Sequence, residues 1–291
     1  MIEKFKELCN KVNWDYKECI INFENNLGGT NMSYICEYKL TQKKYVIRFG
    51  VKSGDILAIN RKAEYEAIKA MSSSGYSPKF VYFDILDGNM ITEYINGSNV
   101  NENDVKDDEF FIRMLKLLKN MHQIKTVEKF NPYNDIEKKL YYIKEYNIPL
   151  NKRFNEAYDK YKTIRDRNKL ENSPHLGLCH NDPFYSNFFL DDDGKIYLLD
   201  FEFSGMGDIF YDLACLFGGL GYDKKVLFLK EYFGYFNDTL MNKLNDFTYI
   251  QVLWNGTWAY LKSIEPSVKN FDYINFGHKH IDMLFNIPVI L

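Results

Sequence analysis

The sequence predicts an α+β fold in two lobes: a small antiparallel sheet carrying one helix, then a larger, mainly helical lobe. Three observations carry that expectation. Short apolar runs, rich in β-branched and aromatic residues and separated by turn residues, follow one another through residues 1–96. Longer segments with apolar residues at helical spacing fill most of residues 97–291. Within that second part, residues 178–202 break the helical pattern, and two apolar runs there frame polar residues at fixed offsets. The expected division is therefore 1–96 and 97–291.

Composition narrows the possibilities. The 291 residues, 46% of them hydrophobic, suffice for one large or two small domains with a substantial core. A formal net charge of −3 gives no general attraction to nucleic acid or anionic membranes. No apolar run approaches the ~18 residues of a membrane span, and the charged residues 1–7 lack a signal-peptide core. The expected partners thus exclude nucleic acid and membrane. Cys9, Cys19, Cys36, Cys179 and Cys215 are scattered without a C-x-x-C pair or a metal spacing, so reduced thiols in a cytoplasmic protein are expected.

Residues 1–16 read as a short helix and a turn. Residues 19–23, 32–40, 45–49, 79–84 and 89–95 read as strands. Between the third and fourth, residues 59–73 read as a helix, with Ile59, Ala63, Ala67, Ala70 and Met71 at helical spacing. The turn after the first strand holds Gly28, Gly29, Thr30 and Asn31. Glycines let backbone amides approach a phosphate, and Thr30 and Asn31 add side-chain donors. A Gly-Gly pair serves an ordinary hairpin equally well.

Residues 101–109 are polar and acidic and read as a loop or cap. Residues 110–122 form a helix with Phe111, Leu115 and Leu118 on one face, and His122 at its end is expected in the core without a role. Residues 134–146 and 152–168 read as charged amphipathic helices separated by Pro149. Residues 226–236, 240–264 and 272–285 complete the helical lobe.

The break at 178–202 carries the chemistry. His180, Asp182 and Asn187 form an H-x-D-x-x-x-x-N loop bounded by short strands, and Asp200 stands at the end of the next strand, followed by Phe201 and Glu202. A polar hairpin turn explains Asp191-Asp192-Asp193-Gly194 but not the joint spacing of His180, Asp182, Asn187 and Asp200. The layout is that of a phosphoryl-transfer centre, where the protein supplies position and charge. Asp182 would accept the proton of an acceptor hydroxyl. Asn187 and Asp200 would hold Mg²⁺ against nucleotide phosphates, because a hard cation prefers oxygen ligands. Glu202 adds a third carboxylate near the metal.

The stretch CHNDPFYSNFFL, followed by IYLLDFEFSG, resembles the catalytic region of the choline and ethanolamine kinases, within the aminoglycoside-phosphotransferase and protein-kinase-like group. D-F-E, where protein kinases have D-F-G, is similar to the small-molecule branch. The resemblance implies a two-lobed protein-kinase-like fold and phosphorylation of a small-molecule hydroxyl with ATP and Mg²⁺. It implies that Gly29, Thr30 and Asn31 approach the phosphates, in a loop one residue shorter than the family's. Arg48 takes the place of the kinase lysine, and a guanidinium grips phosphate oxygens in pairs. Its partner is Glu64 rather than Glu66, because Glu64 lies fourteen residues before Pro78, as in the family. Tyr94 and Ile95 occupy the connector whose backbone meets the base. Asp212 resembles the family aspartate that braces the loop around His180.

Trp254 and Trp258, four residues apart, share one helical face. A helix-packing seam explains the pair, and so does an aromatic wall for a cation, worth ~0.5–2 kcal/mol per ring. The resemblance points to the wall: residues 253–258 are similar to the family's L-W-x-x-W element with one residue added. Phe276 aligns with a later cage tyrosine, and Tyr222 is a further candidate. The family's head-group glutamate, seven residues after Asp212, is Gly219 here. Either another carboxylate takes its place, or the acceptor is a different amino alcohol, or it is another hydroxylated substrate altogether. The expected acceptor is choline or a related amino alcohol. An aminoglycoside or sugar phosphotransferase would use the same centre, and a catalytically silent binding protein would keep the fold. Oligomeric state is left open.

Overall fold

Alternation along the first strands decides how the small sheet packs. The computed structural model describes residues 1–27, 31–50, 59–264, 266 and 270–290. Helix α1 (Ile2–Lys11) precedes strands β1 (Cys19–Ile21), β2 (Met32–Tyr38) and β3 (Lys43–Phe49). Helix α2 (Arg61–Ser73) and strands β4 (Phe80–Phe83) and β5 (Met90–Glu93) follow, and the five strands form an antiparallel sheet in the order β1-β2-β3-β5-β4. Tyr45, Ile47 and Phe49 of β3 are buried with Tyr34, Cys36 and Tyr38 of β2 and with Phe5, Leu8 and Cys9 of α1. The intervening Val46 and Arg48 lie on the other face and line a cleft. The glycine loop at Gly28, Gly29 and Thr30 lies outside the described residues.

Asn60 caps α2, its side chain accepting from the amides of Lys62 and Ala63 at 3.1 Å each. The buried face of α2, with Ala67, Ile68 and Met71, belongs to the core of the helical part rather than to the core under α1. Glu66 anchors the same helix by accepting from the amides of Val127 and Glu128.

The helical part comprises α3 (Asp108–His122), α4 (Pro132–Glu145), α5 (Phe154–Arg167), α6 (Phe210–Phe217), α7 (Tyr222–Phe233), α8 (Asp238–Lys262) and α9 (Tyr273–Met283). α8 is buried on nearly every face and packs against α4, α6 and α9, which is why its apolar residues are not confined to one stripe. α4 begins at Pro132, ahead of the expected start, because proline suits the first helical position, where its missing N–H is no loss.

Two small sheets hold the functional loops. β7 (Leu176–Cys179) pairs with β10 (Gly205–Asp208), and β6 (Gly97–Asn99), β8 (Phe188–Asp191) and β9 (Ile196–Leu198) form a sheet in the order β6-β8-β9. β6 ties the connector from the small sheet to the catalytic hairpin. Gly97 permits this: its φ is +147°, and a Cβ there would lie 2.1 Å from the Leu190 carbonyl oxygen. β6, β10 and α6 have no sequence signature. The two strands are short and glycine-containing, and α6 is buried along its whole length, so it shows no polar face.

Candidate active site

A buried aspartate organises the loop between β7 and β8. Asp212, on α6, accepts hydrogen bonds from the amides of His180 at 2.8 Å and Asn181 at 2.6 Å. His122 Nε2 donates to the same carboxylate at 2.9 Å, and His122 Nδ1 accepts from the Tyr232 hydroxyl at 2.6 Å. Cys179 adjoins His122 and Asp212, but the hydrogen bonds already occupy both partners and burial keeps its thiol protonated. The group is a brace linking α3, α6, α7 and the loop.

From this brace the loop turns sharply. Asn181 has φ of +66°, and its side-chain nitrogen donates to the Phe203 carbonyl at 2.8 Å. His180 is fully buried. Its Nε2 donates to the Leu199 carbonyl at 2.7 Å and its Nδ1 accepts from the Asp182 amide at 3.3 Å. Burial lowers its pKa, so it acts as a neutral strut between the loop and the segment leading to Asp200. Asp200, with φ of +61°, adopts the left-handed region that Asp and Asn tolerate best after glycine.

The chain thereby gathers three carboxylates. The Asn187 side-chain nitrogen donates to Asp182 Oδ2 at 3.0 Å and to the Asp182 carbonyl at 2.8 Å, so its amide oxygen is directed away from Asp182. Burial, then the charges of Asp200 and Glu202, push Asp182 well above the usual carboxylate range. Asp200 is raised as well, desolvation outweighing the pull of Arg48. Glu202 is buried, accepts from Asn31 Nδ2 at 2.9 Å, and is raised to about 8 by burial and by Asp200. Three raised carboxylates, one amide oxygen and the unpartnered buried Asn31 Oδ1 form an oxygen-rich set whose negative charge Arg48 offsets only in part. Such a set fits Mg²⁺.

The cleft beside these groups has a volume of about 370 Å³. Val46, Met90, Ile95 and Phe189 supply apolar walls, and Arg48, Asn187 and Asp200 stand among its lining. Arg48 pairs with Glu64, which also holds Arg61 at 2.6 Å. Arg48 further donates Nε and Nη2 to the Gly88 carbonyl, at 3.3 and 2.9 Å. Those contacts use three of five N–H groups, leaving two for a ligand. Tyr94 and Ile95 both line the cleft, but the Tyr94 amide already donates to the Lys44 carbonyl at 3.0 Å. Tyr94 therefore has only its carbonyl for a base.

The aromatic candidates are dispersed. Trp254 is buried, its Nε1 donates to Asp135, and the Lys139 ammonium lies over its ring, 4.0 Å from the centroid. Trp258 meets Tyr273 edge-on, and Phe276 packs against His280 and Phe271. Tyr222 is 60% exposed at the start of α7. Among the described residues no ring contact joins these four, and Trp254 has its face against an internal lysine. Gly219 is exposed, and a Cβ there would meet open space.

The sequence reading placed His122 in the core, where it lies, but gave it no role, and it passed over Asn181, Asp135 and Lys139. The His122–Asp212 pair is 90 residues apart and the Trp254–Asp135 pair 119, so local spacing carries no trace of either. The i, i+4 spacing of Asp135 and Lys139 was visible, yet on a charged helix it reads as a surface ion pair.

A family model described as choline/ethanolamine kinase matches residues 24–285. The protein LicA homolog of Mycoplasma capricolum is 28% identical over 235 residues, covering 79% of this chain and 87% of that protein. The crystal structure of choline kinase LicA from Streptococcus pneumoniae superposes with a TM-score of 0.79 at 23% identity, covering 98% of this chain and 99% of the other. An ethanolamine kinase from Plasmodium vivax gives 0.76 at 21% identity, covering 97% and 86%. These structures show a protein-kinase-like fold. The extent of the family match places the chain in the choline/ethanolamine kinase family, phosphotransferases that act on an alcohol group.

Proposed function

We propose that the protein transfers the γ-phosphoryl group of ATP to the hydroxyl of choline or a related amino alcohol. The observation that carries this reading is the juxtaposition of Asp182, Asp200 and Glu202, buried carboxylates whose pKa values stay raised despite the nearby Arg48, beside a cleft that Arg48, Asn187 and Asp200 line. ATP would lie in that cleft, its base between the apolar walls and against the Tyr94 carbonyl and the Ile95 backbone. Arg48, fixed by Glu64, would hold phosphate oxygens with its two remaining N–H groups. Asn187, Asp200 and Glu202 would hold Mg²⁺, which when bound supplies charge neutralisation to the phosphates.

Asp182 then does the proton work. It accepts the proton of the acceptor hydroxyl as the oxygen bonds to the γ-phosphorus. The bond between that phosphorus and the β,γ-bridging oxygen breaks, and ADP leaves. Asn187 holds the Asp182 carboxylate in place through its hydrogen bond. His180 and Asp212 fix the backbone that carries it.

The test is ADP release with ATP·Mg²⁺ across choline, ethanolamine, other amino alcohols and aminoglycosides. Asp182→Asn should lower kcat by about 10²–10⁴-fold, the usual contribution of a positioned base, with ATP binding retained. Undiminished turnover in that variant would remove Asp182 from the chemistry. Turnover confined to aminoglycosides would overturn the acceptor.

A further inference from the structure

A second pocket, of about 270 Å³, opens beside Glu202 and is lined by Asn60, Phe130, Asn134, Asp135, Phe203 and Ser204. Two buried atoms of its lining residues, Asp135 Oδ1 and Ser204 Oγ, have no hydrogen-bond partner among the described residues. Asp135 is 6% exposed and Ser204 3%. Buried polar atoms are ordinarily paired, so two in one pocket wall point to a ligand that brings donors. The other Asp135 oxygen is already committed, accepting from Lys139 and from Trp254 Nε1. Lys139, fully buried, lies on the Trp254 ring, and Phe203 of the pocket packs edge-on to that indole at 5.1 Å.

We propose that this pocket holds the cationic end of the acceptor, with Asp135 Oδ1 and Ser204 Oγ accepting its hydrogen bonds, and that it favours ammonium ions bearing N–H over quaternary ones. The inference rests on the amino-alcohol reading above. A quaternary ammonium has no N–H to offer the two unpartnered atoms. It binds instead to an open ring face or a bare counter-charge, and here Lys139 has taken both: it covers Trp254 and neutralises Asp135. What Asp135 retains is a hydrogen-bond acceptor. Lys129 and Lys138, exposed at the pocket's mouth, further disfavour a cation held by charge alone. Glu202 forms one wall and also acts electrostatically on Asp182, so the pocket adjoins the carboxylate cluster.

The test compares ethanolamine, N-methylethanolamine, N,N-dimethylethanolamine and choline as acceptors, which carry three, two, one and no N–H when protonated. In the unmodified protein kcat/KM should fall along the series, with choline at least about tenfold below ethanolamine, since a site built to accept hydrogen bonds rejects analogues lacking the donor. Ser204→Ala, a mild change, should flatten the series by raising KM for ethanolamine and leaving choline unchanged. Lys139→Met, which uncovers the ring, should improve choline relative to ethanolamine. Choline equal to or better than ethanolamine in the unmodified protein overturns the proposal, as does an unchanged ratio in Ser204→Ala. If no amino alcohol is turned over while ATP still binds, the amino-alcohol reading itself fails, and this inference with it.

Discussion

Glu202 is where a single residue carries a measurable consequence of the carboxylate cluster. In the folded chain burial and Asp200 raise its pKa to about 8, against an ordinary value of 4.5. Between those two values the folded chain keeps a proton that the unfolded chain has released, so folding is favoured by protonation. That stability is present in full below about pH 4.5 and is lost as pH rises through 8; it amounts to a few kcal/mol at most. With a chelator present, Tm should therefore fall between about pH 6 and pH 8.5, and Glu202→Gln, which keeps an acceptor for Asn31, should flatten that profile. Added Mg²⁺ should restore Tm most strongly at the alkaline end, where the carboxylates are ionised. Identical profiles for the two proteins would show that Glu202 ionises freely. This carboxylate was legible in the sequence because the chemistry constrains Asp182, Asn187, Asp200 and Glu202 within one short stretch. Asp135 was not, because its partner Trp254 and its pocket neighbour Ser204 come from distant segments.

At the level of elements, the brace around Asp212 ties α6, just after β10, to the end of α3 and to the loop after β7. One carboxylate satisfies two backbone amides of the loop and one imidazole, and each of these donors is buried. Asp212→Ala would leave three donors without an acceptor, at about 1–3 kcal/mol each. A Tm lowered by many degrees is expected, with kcat reduced at temperatures where circular dichroism still shows a folded chain. Asp212→Asn retains an acceptor oxygen and should lie between. Unaltered Tm and turnover in Asp212→Ala would refute the brace. The five strands of the first sheet and most helices were legible because short β-branched and aromatic runs between turn residues, and helical apolar spacing, marked whole segments. β6, β10 and α6 were illegible for a physical reason: tertiary pairing and full burial, rather than local pattern, make them what they are.

For the whole molecule, the chain divides by sequence near residue 96, but its cores divide elsewhere. The small sheet has a core of its own on the α1 side, built from Phe5, Leu8, Tyr34, Ile47 and Phe49. On the opposite side α2 places Ala67, Ile68 and Met71, with Ile59 and Phe83 nearby, in the large core that also contains α3 and α8. Hydrogen bonds reinforce the seam: Leu198 donates to the Tyr76 carbonyl at 2.8 Å, and Asn120 to the Tyr76 hydroxyl at 2.8 Å. Two lobes that share a core cannot part cheaply. Each large apolar side chain exposed at the seam costs about 1.5–3 kcal/mol, so separating the lobes costs several kcal/mol, a large fraction of the stability of any domain. The protein should therefore unfold in one cooperative transition, with calorimetric and van't Hoff enthalpies in agreement. Met71→Ala, by opening a cavity at the seam, should lower that single Tm, at a cost of about 2–5 kcal/mol, rather than split the transition. Two resolved transitions in the unmodified protein would show that the cleft joins independently stable halves. A single transition would mean that the two sides of the cleft are held together before any nucleotide arrives, so that ligand binding adjusts the cleft instead of assembling it.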